Sequence, residues 1–486
     1  MNKAITTFLT EHADTNPVSF HMPGHKGSRI YRENGYGYFL DKIMDCDITE
    51  IPGADNLFQT EGIIAETMKK YERLYGVKKS YLLVNGSSGG LISAILACVR
   101  PGGKLIMARN SHKSIFNALG LASIEPVYAY PEEAEGCGIL GEITAEEIVR
   151  CMDDNPDADA VILPSPNYYG ICSNVRKIAE EVHKRGKVLI VDQAHGAHLR
   201  LFEKYAGSGA GCACAECGFP ESAETQGADI VINSIHKTLA SFTQSALLNL
   251  TSDRVNPFVM EDKLQTIESS SPSYLLMATL DINADLLEKS GERLIKEWTD
   301  NLEYFYTEAE KIPGLRVIMP QNMDRTKINI DMSAYGINGN ELEELLMERD
   351  IFIELVTGNI VMCMTGIGNT RRDYERLIES LKEIAAKLGE NKAGGQAIRP
   401  AGQPEVLTRV LEKKAVPVEK EFVLIDEAAG RVCGSSIIPY PPGIPIVCPG
   451  EVIDEAVIEY VKARRGAGEK VIGLTAEDTV CVGRQV

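Results

Sequence analysis

Asp229-Ile230-Val231-Ile232-Asn233-Ser234-Ile235-His236-Lys237 is an apolar run of strand type that ends on a lysine. Strand ends in α/β sheets are where ligands bind. A lysine held there in a partly desolvated pocket loses its proton easily and can attack a carbonyl. Alone, His236-Lys237 reads as a surface lysine capping a strand. A second stretch changes that. Val188-Leu189-Ile190-Val191-Asp192 is another apolar strand, it ends on an acid, and Gln193-Ala194-His195-Gly196-Ala197-His198 follows it. A Schiff-base lysine and an aspartate facing the pyridine nitrogen are the pair that pyridoxal phosphate (PLP) requires.

Composition narrows the partners. The chain has 486 residues, enough for two or three domains, with 44% hydrophobic and 24% charged residues, which is ordinary for a soluble globular protein. A net charge of −19 argues against nucleic acid or an anionic membrane surface as partner. No apolar run is long enough for a transmembrane helix, and the start, Met1 to Thr6, turns polar by Glu11-His12 and lacks a signal-peptide core. Twelve scattered cysteines fit a reducing cytoplasm better than a disulfide framework. Cys212, Cys214 and Cys217 form a C-x-C-x-x-C cluster without a fourth ligand, so a surface loop is expected there rather than a metal site. His21-Met22-Pro23-Gly24-His25-Lys26-Gly27 also lacks metal-ligand spacing and reads as a loop contributing to an active site or a subunit contact.

From about 78 to 250 the chain repeats a strand–turn–helix beat, which predicts an α/β fold with a mainly parallel sheet covered on both faces. Strands are expected at Tyr81–Val84, Lys104–Met107, Ala160–Leu163 and Lys187–Val191, and helices at Leu91–Val99, Ser114–Ala122 and Val175–Arg185. A long charged helix over Ala284–Ile312 would lead into a smaller α/β unit, with strands near Gly314–Met319, Thr326–Ile330, Ile351–Glu354 and Ile360–Met364, closed by a helix over Asp373–Leu388. Gly389 to Pro404 reads as a linker. A third unit follows, marked by the rigid segment Pro439-Tyr440-Pro441-Pro442-Gly443-Ile444-Pro445.

Asn85-Gly86-Ser87-Ser88-Gly89-Gly90 lies between an expected strand and helix, where free backbone N–H groups and two hydroxyls would cradle a phosphate. It is not a P-loop, since no Gly-Lys-Ser/Thr follows. Six of the eight histidines fall in short motif-like stretches: His21, His25, His112, His195, His198 and His236. His112, in Arg109-Asn110-Ser111-His112-Lys113-Ser114, reads equally as a ring-stacking imidazole and as part of a helix N-cap.

With these residues in hand, the chain resembles the bacterial Orn/Lys/Arg decarboxylase family, in its shorter form. The motifs are PVSFHMPGHKG near the start, DITEIPGADNL at 47–57, LVNGSSGG at 83–90, RNSHKS at 109–114, VDQAHGAH at 191–198, SIHKTL at 234–239, SSPSYLLMATLD at 270–281, TGIGNT at 365–370 and PYPPGIP at 439–445. The resemblance implies an aminotransferase-like, fold type I PLP enzyme that works as a homodimer or higher homo-oligomer in the cytoplasm. The expected divisions are an N-terminal arm and large PLP-binding domain over 1–295, a small aminotransferase-like domain over 296–390, a linker over 391–404 and a C-terminal α+β domain over 405–486.

It also implies roles. Lys237 would be the Schiff-base lysine and Asp192 the partner of the pyridine nitrogen. Ser87, Ser88 and Gly89 of the turn, with Ser234 and His236, would lie at the phosphate. His112 and Ala194 would cover the two ring faces, and His195 would lie near the ring hydroxyl or the substrate, with His195 and His236 counted beside Lys237 and Asp192 as catalytic. Ser271 and Ser273 would lie near a dimer interface. The expected reaction is decarboxylation of a basic amino acid, arginine favoured over lysine and ornithine. The alternatives are another fold type I reaction, transamination or a lyase cleavage, and a catalytically inactive regulatory paralogue. Two departures stand out: Gln193 where an acid is frequent, and Gly434-Ser435-Ser436 where an acid for the distal cation is often found.

Overall fold

The structure is a computed structural model that describes residues 4–134, 138–205, 218–389, 410–440, 443–466 and 470–484. The cysteine cluster at 212–217 and the linker at 391–404 lie outside the described residues. Strand β1 (Val18–Phe20) precedes a run of seven: β2 (Lys79–Leu83), β3 (Lys104–Ala108), β4 (Glu125–Ala129), β5 (Ala160–Pro164), β6 (Val188–Asp192), β7 (Ile230–Asn233) and β8 (Ala246–Leu250). These seven form one sheet in the order β2-β8-β7-β6-β5-β3-β4. The ladders β4-β3-β5-β6-β7 are parallel, and β8 runs against both β7 and β2.

Burial on both faces explains why these strands read as continuous apolar runs. In β5, Ala160, Val161, Ile162 and Leu163 are all fully buried, yet they divide between two cores. Val161 and Leu163 join Ile106, Leu189, Val191 and Val231 under the helices Ala145–Asp154 and Val175–Lys184. Ala160 and Ile162 join Leu105, Met107, Ile190 and Ile232 with Leu91 and Ile95 of the helix Gly86–Cys98. The period-two alternation of a strand thus feeds both layers.

The long helix spans Tyr274–Ala309, starting ten residues before the sequence expectation because Ser273 caps it, its side chain accepting from the Leu276 amide. Beyond it, β9 (Arg316–Ile318), β10 (Lys327–Asp331), β11 (Ile351–Ile353), β12 (Leu355–Thr357) and β13 (Ile360–Met364) follow. Four of them form an antiparallel sheet, β12-β13-β10-β9, while β11 pairs in parallel with β1. The N-terminal arm is therefore tied to the smaller unit. β1, β4, β8 and β12 were not expected from the sequence.

The last unit carries β14 (Lys420–Leu424), β15 (Ile438–Tyr440), the helix Glu455–Gly466, β16 (Lys470–Ile472) and β17 (Thr479–Gly483), paired as two antiparallel ladders. One buried cation fixes this unit to the large sheet. Arg109, just past β3, is 1% exposed and donates to the carbonyls of Pro445 at 2.5 Å and Ile446 at 2.9 Å and to Glu451 at 3.2 Å. Its guanidinium lies over the Phe116 and Tyr128 rings. Removing one member of such a pair strands a buried charge. Glu451→Ala is expected to cost about 3–5 kcal/mol, read as a lower urea midpoint. The pair replacement Arg109→Met with Glu451→Leu should recover most of that loss. An unchanged midpoint for the single variant would contradict the role given to Arg109.

Candidate functional site

The carboxyl ends of β5, β6 and β7 open on a cavity of about 310 Å³, where a parallel sheet places its ligands. Pro164, Asp192 and Ser234 mark those three strand ends in its wall. Because β6 and β7 are adjacent and parallel, with Asp192 opposite Ile232, the acid at one strand end and the lysine just past the other share one space. The remaining lining includes Asn85, Gly86, Ser87, Ser88, His112, Ala194, His195, His236, Lys237 and Glu354.

Lys237 sits on the short helix Ile235–Thr238 and is half-buried, with its Nζ 2.8 Å from His195 Nε2. Burial lowers its pKa from the ordinary lysine value, with Asp192 and Glu354 working the other way. Asp192 is buried; its Oδ1 accepts from the Ala194 amide at 3.1 Å. Desolvation pushes this carboxyl up, against the nearby Lys237 charge. The imidazoles are neutral at ordinary pH. Burial, then the Lys237 charge, pull His112 down to about 3. Burial holds His236 at about 4, and His195 is held well below its usual value, first by burial and then by Lys237.

Local chemistry fixes each group. Of the two readings of His112, the structure shows the cap: it is the N-cap of the helix Lys113–Ala122, accepting from the Ser114 amide, and it also lines the cavity. His236 Nδ1 donates to the Ser245 carbonyl at 2.8 Å. The Ser234 hydroxyl donates to the Ser87 hydroxyl at 2.8 Å, joining the β7 end to the turn after β2. His195 is held from behind, where Lys327 Nζ donates to its carbonyl at 2.5 Å. Lys327 also pairs with Asp324 at 2.8 Å, Asp324 reaches His198 at 3.1 Å, and His198 Nδ1 lies 3.2 Å from the Thr238 hydroxyl. Burial alone would push Asp324 up, but His198 and Lys327 pull it below the usual carboxylate range.

A profile of the Orn/Lys/Arg decarboxylase major domain matches residues 4–329, and one of the C-terminal domain of that family matches residues 395–479. The chain belongs to the Orn/Lys/Arg decarboxylase family. It is a decarboxylase with the aminotransferase-like α/β fold expected from its motifs. The uncharacterized protein YaaO of Bacillus subtilis is 33% identical to it over 465 residues, covering 94% of this chain and 93% of that protein. An arginine decarboxylase of Bacillus subtilis is 30% identical over 479 residues, covering 96% of this chain and 94% of that protein. Among solved structures, the lysine decarboxylase LdcF of Francisella novicida superposes with a TM-score of 0.74 at 19% identity, over 95% of this chain and 78% of that one.

Not every expected residue of this decarboxylase lines the cavity. Gly89 lies a step deeper in its helix, where a Cβ would meet Glu268 and Asn85. Ser271 is exposed and Ser273 is the helix cap already described. Gln193 does not leave a charge missing. It is buried and donates to Glu224 at 2.8 Å and Asn233 at 3.0 Å, so the acid of that network sits at 224. Ser435 and Ser436 are not in the cavity wall; the additional acid there is Glu354, just after β11, whose Oε2 accepts from the Met22 amide at 2.9 Å. The sequence carried its signal: an apolar strand ending on an acid, as at Asp192.

HMPGHKG is a wedge. The Gly24 amide donates to the His236 carbonyl at 2.7 Å, and the Gly368 amide donates to the Gly24 carbonyl at 3.0 Å. A Cβ on Gly24 would stand 2.3 Å from the Thr238 carbonyl carbon. Gly24→Ala must therefore displace the lysine-bearing helix, and is expected to cost about 1–3 kcal/mol, as overpacking does. The check is thermal unfolding together with reactivity of Lys237 towards an aldehyde. A variant with wild-type stability and reactivity would show that the wedge does not position Lys237.

Proposed function

We propose that this chain is a PLP-dependent decarboxylase that converts arginine to agmatine and CO2. The observation that supports this most is the gathering of Lys237, Asp192, His112 and the Ser87–Ser234 pair around one cavity at parallel strand ends. Arginine is favoured over lysine and ornithine because near-full-length relatives at 30% and 31% identity are arginine decarboxylases.

The residues fit the cofactor. Asp192 is a buried carboxyl with no ion pair among the described residues, and a protonated pyridine nitrogen would supply the missing cation. The Ser87 and Ser234 hydroxyls and the amides of the Gly86–Ser88 turn offer donors for a phosphate. His112 and Ala194 would cover the ring faces, and a neutral imidazole does so without repelling a pyridinium. When bound, PLP supplies the sink for the electron pair released as the Cα–carboxylate bond breaks.

The chain's own groups then have distinct work. Lys237, its ammonium weakened by burial, is the nucleophile that holds the cofactor. Asp192 stabilises the electron-rich state more than the ground state, which is what accelerates the step. Lys237 Nζ and His195 Nε2 at 2.8 Å provide a path for a proton, and His236 is a further candidate for delivering it to Cα. Glu354 offers the guanidinium a carboxylate.

A homodimer in the cytoplasm belongs to the same reading. Met44 at 81%, Ile63 at 58% and Phe258 at 80% exposure leave apolar side chains for a second copy, and the cysteines among the described residues are all free. A sedimentation mass of one chain would contradict the dimer, and recovery outside the cytoplasmic fraction would contradict the location. The reaction is tested by giving the PLP-loaded protein arginine, lysine and ornithine separately. Agmatine is expected as the main amine, and a keto acid or no product would overturn the proposal. Glu354→Gln should raise KM for arginine about 10- to 100-fold with a smaller change in kcat, the cost of one charge-assisted contact.

A further inference from the structure

Behind the turn after β2 lies a carboxyl that the mechanism does not use. Glu268 is 6% exposed. Its Oε2 accepts from the amides of Val84 at 3.2 Å and Asn85 at 2.9 Å, the two residues that lead into Gly86–Ser88. Asn85 Nδ2 donates back to the Ile267 carbonyl at 3.0 Å, so the tie is double. The other carboxyl oxygen, Oε1, is buried without a hydrogen-bond partner. A Cβ on Gly89 would stand 3.1 Å from it, which places this free oxygen against the first turn of the helix Gly86–Cys98.

Among the described residues no ion pair compensates it. The helix Gly86–Cys98, strand β8 and the Ser269–Ser273 segment contain no acidic, basic or histidine residue. On the helix before Glu268, Glu261 pairs with Lys79 and accepts from Tyr81, and Lys263 pairs with Asp262. On the cavity side of the turn stand His112, His236 and Lys237. Burial pushes the Glu268 carboxyl up to about 7, with the Asn85 and Val84 amides pulling against it.

We propose that Glu268 takes up a proton when a phosphate group settles in the Gly86–Ser88 turn, so that cofactor binding and neutralisation of this carboxyl are one coupled event. The proposal rests on the PLP reading above. The physical cause is repulsion: the same turn would hold one anion on its cavity side and another behind it, in a low-dielectric surrounding. The weaker acid yields by gaining a proton from solvent. Above neutral pH the ionised Glu268 opposes the phosphate, and a neutral side chain of the same shape does not.

The experiment is calorimetric titration of the apo protein and of Glu268→Gln with PLP, in buffers of different ionisation enthalpy, with pyridoxal as the ligand that lacks the phosphate. At about pH 7.5 the wild type should take up about half a proton more than Glu268→Gln on binding PLP, and no more on binding pyridoxal. The variant's PLP affinity should equal the wild type's near pH 6 and exceed it by up to about tenfold near pH 8.5. In the wild type alone, the excess proton uptake with PLP over pyridoxal should be largest at about pH 7.5. Equal uptake by the two proteins would overturn the coupling. So would a variant that binds PLP more weakly at every pH, since that marks Glu268 as a structural clamp only. If the wild type fails to bind PLP at all, the PLP reading falls and this inference with it; binding without the proton difference overturns the inference alone.

Discussion

Desolvation of the Lys237 ammonium is the constraint around which the cavity is organised. Lys237 opens on a cavity, its pKa lowered by burial, with His195 Nε2 2.8 Å from its Nζ. An ammonium in such a place is costly unless acids stand nearby, and Asp192 and Glu354 both favour its charged form. The balance leaves Lys237 a weaker base than an ordinary lysine, beside an acid, Asp192, that has no ion pair among the described residues. Parallel pairing of β6 and β7 sets the spacing of the two, so the central chemistry is a direct product of the sheet.

The surrounding polar groups keep this arrangement from relaxing. Lys327, Asp324 and His198 form a fully buried chain that runs from the smaller unit to the His195 carbonyl and to Thr238 beside the lysine. Gln193, Glu224, Asn233 and Asn249 form a second network under the β6–β8 ends. Each member is bonded, as buried polar groups must be. Gly24 of HMPGHKG and the glycines Gly366 and Gly368 let three backbones approach where no side chain fits. The site is thus assembled from the N-terminal arm, the large sheet and the smaller unit together.

Much of this was legible in the sequence for a simple reason. Parallel strands buried on both faces are apolar throughout, so a charged residue at their ends stands out, and Asp192 and Lys237 did. The Gly/Ser turn after β2 was equally plain. β1, β4, β8 and β12 were missed, as were β14, β16 and β17 of the last unit: Val18–Phe20, Leu355–Thr357 and Lys470–Ile472 are only three residues long, and Glu125–Ala129 and Ala246–Leu250 carry Glu, Pro or Asn inside the run. The contacts that seat Glu354, Gln193 and Glu268 join positions tens to hundreds of residues apart, and no local pattern encodes them. The same holds for HMPGHKG, whose two histidines suggest a ligand set but whose glycine makes the decisive contact.

The most direct test of the account is to reduce the PLP-loaded protein with borohydride, digest it and locate the phosphopyridoxyl label by mass spectrometry. Among the described residues, Lys26, Lys187 and Lys327 also have buried surroundings and compete with Lys237 for it. The account predicts the label on Lys237 alone. A label on Lys26, Lys187 or Lys327, or none on any lysine, would contradict the assignment of Lys237 on which the rest of the mechanism depends.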